Sequence, residues 1–487
     1  MRMTLIIAFL FSLIIPSYIH GGEPAGIVLA TVQQAVERQE RMLELIETNP
    51  SEFLRLAMTK ESRSKLALQV QVLIEREITV TGQLEILHED WPDGARYYWS
   101  VKHRSKTYSL YIAGQPGEFY SGLNVKVSGV GLGDKIAAYP ASIIKLAAPS
   151  ILPNTFGQQK TIVILVNFQD TPVQPHTLDF ARNVVFMGAK SVSNYFLENS
   201  YQQTSLTGDV FGWFTIAQDS TVCQIGVTEN LANQAVAKAG VNVAAYDRRV
   251  YAFPRNVCPW GGAAYVGGKP SKAWINNNMN LRVVAHELGH GFGLFHSHGL
   301  ECGTASLADN CESVEYGDTQ DVMGSGIYHF NAFQKELLGW LNYGSSPSIR
   351  TVNQVGSNSV GVYEKVDQKP KALKFVRLID PVSKAKTLYY LETRRPIGFD
   401  SGYSTDPNVP NGVLVRIGTD GNTNSSFLLD MTPSTLSWGD PALEKGMSFV
   451  DPKTSISLSV VSVDADGAMV AIAFNSAPMP PGSVSVQ

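Results

Sequence analysis

The sequence predicts an α+β protein in which a mixed domain lies between two β-rich regions. One continuous apolar run, "TIVILVNF", is followed by segments that alternate between helical and strand patterns. Such a run is typical of a buried central strand in a mixed sheet. Short alternating runs divided by Gly, Pro and Asp occur on both sides of this part of the chain. They indicate β-structure at either end of the protein.

The chain has 487 residues, which is too long for one ordinary core, so we expect several segments. They are a signal peptide over 1–21, an N-terminal region over 22–150, the mixed domain over 151–345, a β-sandwich-like domain over 346–475 and a disordered tail over 476–487. The N-terminal region is predicted to be helical and then β-rich. It is either a prosegment or a permanent domain, because no clear processing site is visible near "AAPSILPN".

The first residues have the layout of a secretory signal peptide. One arginine precedes an apolar run from Leu5 to Ile15, and Pro16 and the small residues Gly21 and Gly22 follow. The run is shorter than the roughly 20 residues that span a bilayer, and no later segment supplies such a run. We therefore expect a secreted protein without stable membrane insertion, with an uncleaved anchor as the alternative. The net charge of −4 offers no basic surface, so nucleic acid is not an expected partner.

Four cysteines occur, and an even count in an exported chain favours two disulfides. Closeness in sequence pairs Cys302 with Cys311 and leaves Cys223 with Cys258. A zinc knot is the alternative use of these cysteines, but the paired Cys-x-x-Cys spacing that it needs is absent.

The run "HELGHGFGLFHSHG" contains a candidate metal site. His286 and His290 are four positions apart, so on a helix they lie on one face and can bind the same ion. Gly293 allows the chain to leave the helix in a left-handed conformation, which returns His296 toward the same point. Three imidazoles and a water would give zinc a tetrahedral site with one open position. Glu287 can reach that water and accept its proton as the water attacks a carbonyl.

A glycine-rich helix end that happens to carry histidines is the alternative interpretation of this run. A bare H-E-x-x-H occurs often by chance, but Gly293 and His296 at the required offsets favour a metal site. His298 follows in an apparent loop, and we interpret it as solvated or as a neighbour of the ligands.

The run "HELGHGFGLFH", followed by "EYGDTQDVMGSG", resembles the zinc signature and the methionine-containing turn of the metzincin peptidases. Within that clan the chain is similar to the gametolysin-type peptidases, with "CPWGGAAYVGG" and "FNAFQKELLGWL" among the matching segments. The resemblance covers about residues 155–345 well, the C-terminal region loosely and the first 150 residues hardly at all. It implies a metzincin-like twisted mixed sheet with an active-site helix. It also implies zinc binding by His286, His290 and His296, and catalysis by Glu287.

The resemblance also assigns roles around the zinc site. Met323 would support the ligands from below, although a lone methionine in an apolar turn is usually core packing. Some metzincins have a tyrosine ligand two positions later, but this chain has Ser325 there, and Tyr328 is at the wrong spacing. A peptide substrate would lie extended along an edge strand. The segment Gly261–Gly268 is the candidate for that edge or its flanking loop, with an ordinary glycine-rich turn as the alternative.

Two acidic stretches are predicted to be turns. Asp90 and Asp93 in "EDWPDG" fit a turn by composition. The "DADG" stretch that begins at Asp464 fits a hairpin turn, because the spaced oxygen ligands of a calcium loop are missing. No cysteine precedes Cys223, so a prosegment cysteine cannot silence the metal. If the N-terminal region is inhibitory, it must block the cleft sterically or offer zinc a hard donor such as Asp90 or Asp93.

The expected function is that of a secreted zinc-dependent endopeptidase that acts on extracellular or cell-wall proteins. One alternative is an exported binding or adhesion protein that keeps the scaffold without hydrolysis, and another is a zinc hydrolase of a non-peptide amide or ester. An intact Glu287 argues against the first alternative, because a non-catalytic scaffold needs no general base.

Overall fold

The computed structural model describes residues 31–117, 119–146, 151–362, 369–435 and 437–474. The predicted signal peptide and the predicted C-terminal tail lie outside these ranges. Among the described residues, no helix has both the length and the apolar character needed to cross a membrane.

The helices of the described residues are short, and they lie at the start of the chain and around the central sheet. Their bounds are α1 (Val32–Thr48), α2 (Pro50–Leu56), α3 (Lys60–Ser64), α4 (Leu68–Gln71), α5 (Leu178–Arg182), α6 (Val192–Asn199), α7 (Ile225–Lys238), α8 (Leu281–Phe292) and α9 (Ala332–Leu337). Helix α1 begins with a reciprocal capping box between Thr31 and Gln34.

The N-terminal strands and the strands of the mixed domain form one 11-stranded sheet. Their bounds are β1 (Arg76–Trp91), β2 (Gly94–His103), β3 (Lys106–Ile112), β4 (Asn124–Leu132), β5 (Lys135–Ala138), β6 (Ile143–Lys145), β7 (Gly157–Phe168), β8 (Thr204–Ile216), β9 (Arg248–Phe253), β10 (Gly262–Tyr265) and β11 (Ser271–Asn276). The order in the sheet is β6-β4-β5-β3-β2-β1-β10-β11-β9-β7-β8. Strands β8, β7, β9 and β11 are parallel, whereas β10 is antiparallel to both β11 and β1. The β1–β10 pairing therefore joins the two parts of the chain.

Two further sheets contain the remaining strands. Their bounds are β12 (Ser297–Glu301), β13 (Glu312–Val314), β14 (Ile349–Thr351), β15 (Gly356–Gly361), β16 (Ala372–Ile379), β17 (Lys386–Glu392), β18 (Gly412–Thr419), β19 (Asn422–Leu429), β20 (Leu443–Glu444), β21 (Ser448–Val450), β22 (Ile456–Asp464) and β23 (Gly467–Phe474). One sheet has the order β13-β12-β19-β18-β17-β16-β14, with β20 on β18, and the other has the order β15-β23-β22-β21. Phe375 and Leu391 of the first share a core with Leu458 and Val470 of the second. Strands β12 and β13, from the segment before residue 345, thus belong to the C-terminal sheet.

Strand β7 forms the centre of the mixed domain, as its apolar run predicts. Val163 and Leu165 lie in the core cluster that contains side chains of α6 and α8. Ile162 and Ile164 lie in the cluster that contains side chains of α7. Because successive side chains of a strand point to opposite faces, a strand covered on both faces must be apolar throughout. The predicted mixed α+β class is confirmed.

The two acidic stretches have different structures. The stretch "DADG" forms the β22–β23 hairpin, in which Asp464 pairs with Gly467, as predicted. The prediction of a turn is wrong for Asp90, which is the penultimate residue of β1, and the turn is confined to Pro92 and Asp93. The strand continues through Asp90 because that residue pairs with Ala95 of β2.

The cysteines form the predicted pairs. Cys223 and Cys258 are joined with a Cα–Cα distance of 5.0 Å. Cys302 and Cys311 are joined with a Cα–Cα distance of 4.3 Å, and they close the loop between β12 and β13.

Candidate metal centre

Helix α8 and its exit position the three predicted histidine ligands. The helix begins after Asn280, whose side chain accepts a hydrogen bond from the Val283 amide. It ends at Gly293, which has a φ of 107° in the left-handed region. A side chain would disfavour that conformation, so glycine allows the chain to turn back at this point. The turn brings His296 beside His286 and His290.

The three imidazoles converge through their Nε2 atoms. The His286 Nε2 lies 3.2 Å from the His296 Nε2 and 3.2 Å from the His290 Nε2. All three side chains are buried. Zinc–nitrogen bonds of about 2.0–2.1 Å in a tetrahedron place neighbouring nitrogens about 3.3–3.4 Å apart. The two separations from His286 therefore fit neighbouring corners of a tetrahedral metal site.

The opposite ring nitrogens are held by acceptors. The Nδ1 of His286 lies 2.7 Å from the carbonyl oxygen of Val322, and the Nδ1 of His290 lies 2.8 Å from that of Leu294. The Nδ1 of His296 contacts the Glu315 carboxylate. Because carbonyls and carboxylates accept hydrogen bonds, each Nδ1 carries the proton and each Nε2 directs a lone pair inward. Three converging lone pairs repel one another unless a cation lies between them, so the donor set fits a metal ion.

The methionine turn lies directly beneath helix α8. Met323 belongs to the apolar core, and its sulfur packs so closely against Gly289 that a side chain there would collide with it. The Asp321 carboxylate accepts hydrogen bonds from the backbone amides of Met323, at 2.7 Å, and Asn331, at 2.6 Å. These contacts fix the segment whose Val322 carbonyl holds His286.

Asp90 of β1 supplies a fourth donor to the cluster. Its two carboxylate oxygens lie 3.3 Å from the His286 Nε2 and 3.2 Å from the His296 Nε2. The Tyr316 hydroxyl donates a hydrogen bond of 2.8 Å to the same carboxylate. Of the two aspartates considered as hard donors, the structure thus brings Asp90 to the histidines and leaves Asp93 in the exposed turn.

His88 of β1 lies beside the same cluster. Its ring centroid is 4.0 Å from that of His290 and 4.5 Å from that of His296, and its side chain is buried. Sequence reasoning missed His88, Glu315 and Tyr316 as neighbours of the metal site. The alternation of β1 places His88 on the same face of the strand as Asp90, and this signal could have identified it.

Glu287 is buried next to the donors. Potential ligand atoms of Asp90, His286 and Glu287 all lie within 4.8 Å of one another. Neither oxygen of Glu287 has a hydrogen-bond partner among the described residues, so its carboxylate is able to bind water. Strand β10 passes close above it at Gly262, where a side chain would collide with the carboxylate.

The two carboxyl groups are driven to opposite protonation states. Burial, and then the negative charge of Asp90, raise the pKa of Glu287 well above its ordinary range. Burial also disfavours charge on Asp90, but the nearby imidazoles of His286 and His88 outweigh it and hold the pKa of Asp90 well below its ordinary range. Negative charge is therefore favoured on Asp90 over Glu287 while the two carboxyl groups lie side by side.

The histidines also differ in their affinity for a proton. Burial lowers the pKa of His290 well below its ordinary value. Burial acts in the same direction on His296, but the Asp90 and Glu315 carboxylates beside its two ring nitrogens outweigh it and raise the pKa of that imidazole. Of these two imidazoles, His296 is thus the stronger base.

A cavity of about 430 Å³ opens beside the glutamate. Its walls include Gly262, Arg282, Glu287 and Tyr316. Arg282 donates hydrogen bonds to carbonyls of the segment after the methionine turn, which holds this wall in place. The cavity leaves room for a bound molecule next to the candidate metal site.

The other residues considered as ligands lie apart from the cluster. His298 is not solvated, because it is buried in β12 and its Nε2 lies 2.9 Å from the Asn424 side-chain oxygen. Its Nδ1 is 3.5 Å from the carboxylate of Glu315, which is the residue that contacts the candidate ligand His296. Tyr328 stacks on Tyr403 with ring centroids 4.0 Å apart.

A helix with converging histidines and a buried glutamate, set beside a mixed sheet, is typical of metal-dependent peptidases. Residues 160–357 match the profile of the gametolysin peptidase M11 family. This match supports a gametolysin-like metallopeptidase, and the metzincin clan is consistent with that family. No curated protein matches the chain.

Proposed function

We propose that the protein is a secreted zinc-dependent endopeptidase, with His286, His290 and His296 as the metal ligands and Glu287 as the general base. The observation that carries the proposal is the convergence of three imidazole Nε2 atoms, with that of His286 lying 3.2 Å from each of the other two, beside a buried glutamate. Three nitrogen donors with one remaining position are the donor set of catalytic zinc, whereas structural zinc sites are closed by four protein ligands.

When bound, zinc supplies Lewis acidity, which polarises a substrate carbonyl and lowers the pKa of water to about 7. Glu287 holds the attacking water by a hydrogen bond and accepts its proton as the new C–O bond forms. The protonated Glu287 then delivers that proton to the amine nitrogen as the C–N bond breaks. Its raised pKa in a buried setting favours a carboxyl group that retains the proton between the two steps.

Strand β10 is the element that would align a substrate. The edge of β10 that faces away from β11 is the one with which an extended peptide would pair, and Gly262 brings that edge close to the Glu287 carboxylate. A substrate side chain would enter the cavity between Arg282 and Tyr316. We therefore assign the substrate edge to β10, within the segment Gly261–Gly268 that the resemblance suggested.

The first residues support the proposed location, and the family supports the proposed substrate class. The layout of residues 1–21 supports secretion. A secreted peptidase of the gametolysin type would act on extracellular or cell-wall proteins.

The test compares Glu287→Gln with the wild-type chain and with Glu312→Gln, which changes an exposed glutamate on β13. The amide keeps the shape of the side chain but cannot accept a proton. Glu287→Gln should retain zinc while hydrolysis of denatured casein falls by about 10²–10⁴-fold. Zinc per chain is measured by mass spectrometry, and the mass of each chain is recorded with its activity so that processed protein is recognised.

Hydrolysis by Glu287→Gln within a few-fold of the wild type would contradict the role of Glu287. Zinc binding with ester hydrolysis but no peptide hydrolysis would favour a non-peptide hydrolase. Zinc binding without any hydrolysis by processed protein would favour a binding protein on the same scaffold.

A further inference from the structure

Strand β1 of the N-terminal region covers the proposed substrate edge. It pairs antiparallel with β10, so that Leu87 is opposite Tyr265 and Glu89 is opposite Ala263. The Val266 amide donates a hydrogen bond of 2.9 Å to the Ile86 carbonyl in the same ladder. The other edge of β10 is paired with β11. An extended peptide therefore cannot pair with β10 until β1 leaves it.

The Asp90 carboxylate lies where a fourth metal ligand would lie. Its oxygens are 3.2 and 3.3 Å from the His296 and His286 nitrogens, and the nitrogens of His286 and His296 are themselves 3.2 Å apart. These distances, each to a different oxygen of the carboxylate, are close to the spacing of donor atoms around one zinc ion. The position that a catalytic site keeps open for water is thus taken by a side chain of β1.

We propose that Asp90 is a fourth ligand of the metal, contributed by the N-terminal region, and that Asp90 and β1 together keep the full-length chain latent. The inference rests on the proposed function and concerns the regulation of the same site. Asp90 takes the position of the attacking water, and the β1 backbone takes the position of the substrate. Both requirements for hydrolysis are blocked by one strand.

The same geometry explains why β1 would not be a substrate of its own domain. Peptide hydrolysis needs a water between the metal and Glu287, but the Asp90 carboxylate lies at that point, within 4.8 Å of both His286 and Glu287. The Tyr316 hydroxyl, 2.8 Å from Asp90, holds the carboxylate in place. A peptide segment can therefore lie on β10 without being cut.

The N-terminal sheet also packs against the peptidase domain through apolar side chains. Asp90 is therefore positioned by the folded N-terminal sheet and not by β1 alone. Phe295 and Val266 of the peptidase domain belong to the same buried cluster as Leu84 and Val101 of the N-terminal sheet. Tyr97 packs on Phe295 with ring centroids 5.4 Å apart. Burial of these side chains stabilises the blocked state.

The ligand role is tested in the full-length chain after Co²⁺ has replaced the native metal. Asp90→Ala and the isosteric Asp90→Asn are compared with wild type and with the matched control Asp93→Ala, which changes an exposed aspartate three positions away. The readouts are metal per chain, the visible absorption spectrum and the Kd of acetohydroxamate, a small ligand that reaches the site through the cavity beside Glu287.

Loss of the Asp90 carboxylate should change the Co²⁺ spectrum. It should also tighten acetohydroxamate binding by at least about tenfold. If Asp90 occupies the fourth metal position more than nine-tenths of the time, it weakens the apparent affinity for acetohydroxamate by that factor. Asp93→Ala should match wild type. Equal spectra and equal affinities in all four chains would overturn the proposal. Absence of metal uptake in every chain would instead overturn the proposed function.

The role of the strand is tested by a cross-strand disulfide. Glu89 and Ala263 lie directly opposite each other, so Glu89→Cys with Ala263→Cys can lock β1 onto β10 in the Asp90→Ala chain. The locked chain should bind acetohydroxamate as the Asp90→Ala chain does, but its hydrolysis of casein should fall by at least about tenfold. The same pair changed to serine is the matched control. Casein hydrolysis by the locked chain at the rate of the serine control would show that β1 does not cover the substrate edge.

Discussion

Each imidazole of the candidate metal site is oriented by the group that holds its other ring nitrogen. His286 and His290 contact backbone carbonyls, which no substitution removes. His296 instead contacts a side chain, Glu315, on the segment before the methionine turn. Glu315 is therefore the residue through which a single change can alter metal binding without replacing a ligand.

Glu315→Gln is predicted to weaken zinc binding by about 10–100-fold. The amide keeps the size of the side chain but removes the charge that raises the pKa of His296 and makes it a better donor. Zinc affinity is measured by competition with a chelator, with Glu312→Gln on β13 as the control. Equal affinities for the two variants would contradict this role for Glu315.

At the scale of the elements, the end of α8 determines whether His296 lies beside the other two histidines. The histidine spacing predicts a helix, but only a residue that tolerates a φ of 107° allows the chain to reverse after it. A side chain at Gly293 would also press against Leu152. The helix end is thus constrained by its own backbone and by its packing.

Gly293→Ala is predicted to lower the free energy of unfolding by about 1–2 kcal/mol, because the left-handed conformation costs that much for a residue with a side chain. Gly226→Ala is the matched control, since that glycine lies in α7 with open space around it. The control should be neutral or more stable by up to about 1 kcal/mol. Urea unfolding curves measure both, and identical curves for the two variants would refute the argument.

The end of strand β1 shows why composition alone wrongly predicts a turn at Asp90. The run "EDWPDG" has the residues of a turn, and Pro92 and Asp93 do form one. Asp90 remains in the strand because it pairs with Ala95 on β2 while the neighbouring residue, Glu89, pairs with β10. Pairing with a distant strand outweighs the local preference of an aspartate for turns.

At the scale of the whole molecule, buried charges join the peptidase domain to the C-terminal sheet. The Arg416 guanidinium of β18 binds both oxygens of Asp318, at 2.6 and 3.1 Å, and also contacts Glu392. Asp318 lies on the segment that leads into the methionine turn. Strand β12, which follows His296, pairs with β19 of the same sheet. The C-terminal sheet therefore supports the metal site.

Arg416→Met is predicted to lower the free energy of unfolding by about 3–5 kcal/mol, because it leaves the Asp318 carboxylate buried without its cation. Arg350→Met, at an exposed position on β14, is the control and should have little effect. Thermal unfolding with zinc content measured in parallel is the test. A midpoint for Arg416→Met equal to that of the control would show that the ion pair does not hold the two parts together.

The sequence by itself determined the features whose partners are close along the chain. The spacing of His286, Glu287 and His290 on one helix, the glycine exit toward His296 and the apolar run of β7 all follow from the fixed periods of helices and strands. The cysteine pairs followed from closeness alone.

Only the tertiary structure decided which distant elements meet. Asp90 and Tyr316 are hydrogen-bonded although they are 226 positions apart, and Asp318 meets Arg416 over 98 positions. The alternation of a strand specifies which of its faces is buried, but it does not specify which edge the strand will pair with. The placement of Asp90 at the metal site therefore depends on the β1–β10 pairing, which no local pattern in either strand encodes.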